Sequence, residues 1–69
     1  MKEMEDYLYL KGLLNRLSQE VREVIILRAY EELKFKDIAK MMNCSLSTVK
    51  SRYRIGIQQM KNMIKEGDQ

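Results

Sequence analysis

Two apolar stripes of helical period, separated by only three residues, constrain this chain more than any other feature. The first is Phe35, Ile38, Ala39 and Met42; the second is Leu46, Val49, Tyr53, Ile57, Met60 and Ile64. Spacings of three and four place each set on one face of a helix. A short helix and a longer one joined through Asn43, Cys44 and Ser45 bury their stripes by folding against each other. The joint has the residue types that such a corner needs. Ala39 is small where the two helices cross, and Asn43 tolerates the left-handed conformation that ends helices. Cys44 is a small hydrophobe able to plug the corner. Ser45 is a good N-cap, and Val49, ten positions after Ala39, anchors the second helix. The expected unit is a helix-turn-helix.

The rest of the chain reads as helix too. Tyr7, Leu10, Leu14 and Leu17 form one stripe, so a first helix is expected over residues 4–17. Ser18 then serves as an N-cap for a second helix over 19–30, with Glu20 well placed in its first turn. Val21, Val24, Ile25, Ile26 and Leu27 make that helix apolar around much of its circumference, which marks it as the central one. Residues 31–34 break the pattern. Helices three and four are expected over 35–42 and 46–65, with Gly67, Asp68 and Gln69 as a frayed tail. The absence of Pro and the presence of only three Gly in 69 residues fit this all-α reading. The expected fold is a single small four-helix domain over 1–69. It resembles a winged-helix arrangement without the wing.

Charge separates along the chain. Residues 1–33 carry five basic and seven acidic side chains, a net of −2, whereas residues 34–65 carry eight basic ones against Asp37 alone, a net of +7. The second half therefore offers a positive field to a polyanion, and the first half repels one. Projection of the fourth helix at roughly 100° per residue points Ser47, Ser51, Arg54 and Gln58 outward, with Lys50 and Arg52 on either side. Ser45 and Thr48 sit at its start. Small hydroxyls allow close approach to a major groove, Arg forks onto guanine, and cations with free N–H groups hold phosphates.

Other chemistry has little to stand on. The chain has no His, so an imidazole base or a His-containing zinc site cannot be assembled. One Cys makes neither a disulfide nor a metal site, and Glu31 and Glu32 read as a solvated pair. No enzyme, metal or cofactor is expected. The acidic N-terminus lacks the apolar core of a signal peptide, and no apolar run is long enough to span a membrane. A reduced, cytoplasmic setting follows.

Three blocks of the sequence resemble region 4 of bacterial RNA polymerase sigma factors of the extracytoplasmic-function type. They are LSQEVREVIILR at 17–28, FKDIA at 35–39 and SLSTVKSR at 45–52, and the resemblance covers residues 8–60. It implies binding to the upstream, minus-35 promoter element, docking on the flap of the polymerase β subunit, and sequestration by an anti-sigma protein. It assigns DNA contacts to Ser47, Thr48, Lys50, Ser51, Arg52 and Arg54, joined by Ser45 and by Lys36 of the preceding helix. The chain departs from the family where Ser18 replaces Pro, where Asn43 replaces Gly, and where Ile55, Gly56 and Ile57 replace an Arg-Ala-Arg run. The last change removes two cations and places Ile55 on the outer side of the helix.

Two other readings compete. The DNA-binding domain of LuxR-type response regulators shares parts of the same blocks, but typically has His where Arg52 stands. A helical interaction module without DNA binding would use Leu46, Val49, Tyr53, Gly56, Met60 and Met63 as a coiled-coil seam, interrupted at Gly56. Finally, Leu8, Leu10, Leu13, Leu14, Ile25, Ile26, Tyr30 and Leu33 are more apolar side chains than so small a domain readily buries. Ile26, Tyr30 and Leu33 are accordingly expected to face a protein partner.

Overall fold

A computed structural model describes residues 2–67. Helix α1 spans Lys2–Asn15, and α2 spans Gln19–Ile25 and passes directly into a π-helical segment, Ile26–Tyr30. Helix α3 is Phe35–Met41 and α4 is Leu46–Gly67. The described residues contain no strand. The all-α, four-helix expectation therefore holds, with shifted boundaries. Gly67, expected in a frayed tail, closes α4, while Asp68 and Gln69 lie outside the described residues.

The first helix ends before Leu17 rather than at it. The Arg16 and Leu17 amides donate to the carbonyls of Leu13 and Leu14, three residues back, so the chain tightens and turns out of α1. Leu17 is nevertheless buried, carried under α2 by that turn. Ser18 then caps α2 as expected, its Oγ accepting from the Val21 amide at 3.4 Å. The stripe on α1 needs a larger correction. Leu13 is buried and Leu14 half-buried, whereas Tyr7 and Leu10 are exposed. The other helices cover only the C-terminal part of α1.

Two apolar clusters form the interior. Val24, Ile38, Ala39 and Val49 make the first, with Leu27, Leu33, Phe35, Met42 and Cys44 packed around it. Leu17, Val21 and Ile25 make the second, with Leu14, Ile57, Met60 and Met63 around it. Tyr53 touches both, so α4 joins the two halves. Val24, Ile38 and Val49 are wholly inaccessible, and such complete burial of an aliphatic side chain is worth about 1.5–3 kcal/mol each. Leu46 and Ile64, expected on the inward face of α4, are exposed. They stand near the two ends of the long helix, beyond the stretch that α2 and α3 cover.

The central crossing is set by Gly56. A Cβ built on it would lie 2.8 Å from Val21 Cγ1 and 2.9 Å from two carbons of Ile25. The missing side chain lets α4 press directly on α2. Of the possible coiled-coil seam, Val49 and Gly56 are buried and Tyr53, Met60 and Met63 pack on the chain's own clusters, while Leu46 is exposed.

The segment between α2 and α3 is clamped by one side chain. Arg28 Nη1 donates to the Leu33 carbonyl at 3.0 Å, and its guanidinium lies over the Phe35 ring with Cζ 4.5 Å from the centroid. Phe35 in turn meets Tyr53 edge-on, with centroids 5.4 Å apart. Glu32, at φ 60°, makes the reversal, and the Leu33 amide donates back to the Leu27 carbonyl.

Candidate nucleic-acid interface

The turn between α3 and α4 is built as the residue types require. Asn43 has φ 53°, the left-handed conformation. The Cys44 amide donates to the Ala39 carbonyl at 3.0 Å and the Asn43 amide to the Lys40 carbonyl at 3.3 Å. This pair of bonds is the Schellman closure of a helix C-terminus, and Ala39 and Cys44 supply its accompanying apolar contact. Ala39 and Val49 are buried on either side of the corner. Cys44 is half-buried rather than enclosed, and its Sγ lies 3.8 Å from Arg52 Nη1, within reach as an acceptor.

Ser45 closes the other side of the turn. Its Oγ accepts from the Thr48 amide at 3.1 Å and donates to Thr48 Oγ1 at 2.8 Å, with Ser47 Oγ at 3.2 Å. Three hydroxyls therefore cluster over the first turn of α4, where the free amides carry partial positive charge. Ser45 is a cap before it is anything else.

From this corner α4 presents a graded face. Ser47, Lys50 and Arg54 are exposed, and so is Lys36 on the first turn of α3. Thr48, Ser51 and Arg52 are half-buried. Ser51 thus lies less outward than an ideal wheel places it. Arg52 folds back toward the turn, which makes it a brace for the corner as much as a free cation. Gln58 is exposed and donates to Asn62 along the helix at 3.3 Å. Exposed Lys34 and Lys40 add to the charge around α3. The structure thus joins Ser45, Ser47 and Thr48 at the start of α4 and leaves Lys36 on α3 and Lys50 and Arg54 on α4 exposed.

The expected partner residues divide. Leu33 is half-buried and packs on the first cluster, because the Arg28 clamp folds its loop inward. Tyr30 is 66% exposed and Ile26 half-buried, and both line a groove of about 350 Å³ between α1 and the α2–π helix. Tyr7, Leu10 and Leu14 form its other wall, with Lys11, Asn15 and Arg22 beside them. Leu10 and Leu14 of this wall were among the surplus apolar residues of the sequence, whereas Tyr7 was not. Of the surplus apolar residues, Leu13 and Ile25 are buried and Leu8 is exposed.

Among the described residues no group of three His, Cys, Asp or Glu side chains is placed to hold a metal ion, and no helix is long and apolar enough to cross a membrane. No curated protein and no solved structure matches the chain. Residues 7–60 match the family described as Sigma-70, region 4. Members of that family are non-enzymatic helix-turn-helix domains through which sigma factors bind promoter DNA as RNA polymerase initiates transcription. The matched span takes in most of α1, all of α2 and α3, the turn, and α4 through Met60, so this chain belongs to the sigma-70 region 4 family.

Proposed function

We propose that this domain recognises the upstream, minus-35-type promoter element as the DNA-reading part of an extracytoplasmic-function-type sigma factor, acting in the cytoplasm. The observation that carries this reading is the exposure of Ser47, Lys50 and Arg54 on α4 and of Lys36 on α3. In this reading the first half of α4 lies in the major groove. Arg54 forks onto a base edge, Ser47 and Thr48 allow the backbone to approach, and Lys36 and Lys50 hold phosphates. Ser51 and Arg52 contribute at the margin of the contact, since both are partly covered.

The groove between α1 and the α2–π helix is the surface for polymerase. Its apolar walls and the acidic balance of the first half suit a protein better than DNA. The β-flap is the partner in the holoenzyme, and an anti-sigma protein competes for the same face.

Mobility-shift titrations across a salt series test the DNA face. Lys50→Ala should weaken binding evenly across sequences and lower the salt slope by about one phosphate contact. Pull-down on the isolated β-flap tests the second surface, where Ile26→Asp and Tyr30→Asp should abolish capture. An unchanged salt slope in Lys50→Ala would remove the DNA-facing assignment of this side of α4.

A further inference from the structure

Ile55 stands where polar side chains dominate. It is 46% exposed, one helical turn beyond Ser51 and next to exposed Arg54, with exposed Gln58 and Gln59 following. A β-branched apolar side chain there adds nothing to either interior cluster. Gly56, its neighbour, lies so close to Val21 and Ile25 that a Cβ there would come within 3 Å of both. That contact turns the Gly56 side of α4 toward α2, with Ile55 left on the exposed side of the helix. The nine-residue step from Leu46 to Ile55 carries it about 13.5 Å along the helix. That length is comparable with the roughly 12 Å width of the major groove.

We infer that Ile55 is a specificity residue that makes an apolar contact with the 5-methyl group of a thymine in the bound DNA. The inference rests on the promoter-binding reading of α4 and adds to it one base preference at the far edge of the contact. The chemistry is selective because thymine alone among the four bases presents a methyl group in the major groove. A residue that cannot hydrogen-bond has no other base-specific feature to read. No cation stands on α4 between Arg54 and Lys61, so the charge that would draw this stretch to a phosphate is missing.

The test begins with selection of bound sequences from a duplex pool randomised over twenty base pairs, using the full chain. Each thymine of the best selected duplex is then replaced by uracil, which lacks only the methyl group, and affinities are compared for the wild type and Ile55→Ala. At one position the wild type should lose about three- to fourfold in affinity on replacement, the worth of one buried methyl, whereas Ile55→Ala should bind both duplexes equally. Circular dichroism of Ile55→Ala should be unchanged. A wild type indifferent to every replacement, or an Ile55→Ala variant with the wild-type pattern of losses, overturns the inference while leaving the promoter reading intact. A pool from which nothing is enriched overturns both.

Discussion

Around the corner between α3 and α4, Val24, Ile38 and Val49 have no accessible surface, whereas along α1 Leu8 and Tyr9 are more than half exposed. The two regions are comparable in apolar content and differ in how it is used. At the corner, short spacing and a two-bond Schellman turn bring Ile38, Ala39 and Val49 together against Val24, while Met41 and Leu46 stay exposed. At the other end, α1 touches its neighbours only through its last turns and leaves a groove walled by Tyr7, Leu10 and Leu14 on one side and by Ile26 and Tyr30 on the other. A helix that reads base edges must hold its side chains to a fixed geometry, and a rigid corner supplies that. A surface that receives a protein partner needs accessible apolar area instead. Under the proposed function the difference between the two ends is a division of labour along one small chain, and it follows the division of charge.

The sharpest way to break this comparison is to remove equal amounts of side chain from each end. Ile38→Ala should destabilise the domain by about 2–5 kcal/mol, because the site is completely enclosed and cannot relax around the cavity. Leu10→Ala, in the open groove, should cost less than about 1 kcal/mol. Chemical denaturation of the two variants side by side measures both, and equal losses would mean that the α1 end is as tightly packed as the corner.

The next effect is smaller and local to the turn. Asn43→Val forces a β-branched residue into the left-handed region and should cost about 1–2 kcal/mol, whereas Asn43→Gly should be neutral or slightly stabilising. Thermal melts of the pair decide it, and a Val variant melting with the wild type would contradict the turn geometry. Smallest of all is the contrast between the two serine caps. Ser45→Ala removes a cap bond of 3.1 Å together with its hydroxyl partners and should cost about 1 kcal/mol. Ser18→Ala removes a longer bond of 3.4 Å and should cost less. An equal cost at both would show that the hydroxyl cluster over α4 adds nothing.

What could be read in the residues alone follows the same boundary. The corner was legible because its determinants are local: Ala39, Asn43, Ser45 and Val49 fix helix ends and a crossing within ten positions. The caps at Ser18 and Ser45 were legible for the same reason. The coverage of α1 was not, because Tyr7, Leu10 and Leu13 are all apolar and only the placement of α2 and α4 decides which of them is enclosed. Gly56 looked like a gap in a seam, and its use as the point of closest helix approach depends on Val21 and Ile25, over thirty positions away. The clamp of Arg28 on Leu33 and Phe35 is likewise a product of the π-helical segment, whose wider turn no periodicity in the sequence announces. On α4 the composition of the exposed face was legible. The retreat of Arg52 was not, because it depends on the approach of its guanidinium to Cys44, eight positions back.

The division of labour is tested most directly by measuring the affinity of Arg54→Ala and Tyr30→Asp for one promoter duplex, in the same buffer and at the same salt. Each variant changes an exposed side chain, Arg54 on α4 and Tyr30 on the groove beside α1. Arg54→Ala should lose about 1–3 kcal/mol of binding and discriminate less at one base pair. Tyr30→Asp should bind the duplex as the wild type does while failing to bind polymerase. An Arg54→Ala variant with wild-type affinity, or a Tyr30→Asp variant that loses the DNA as well, would contradict the assignment of DNA to one end and protein to the other.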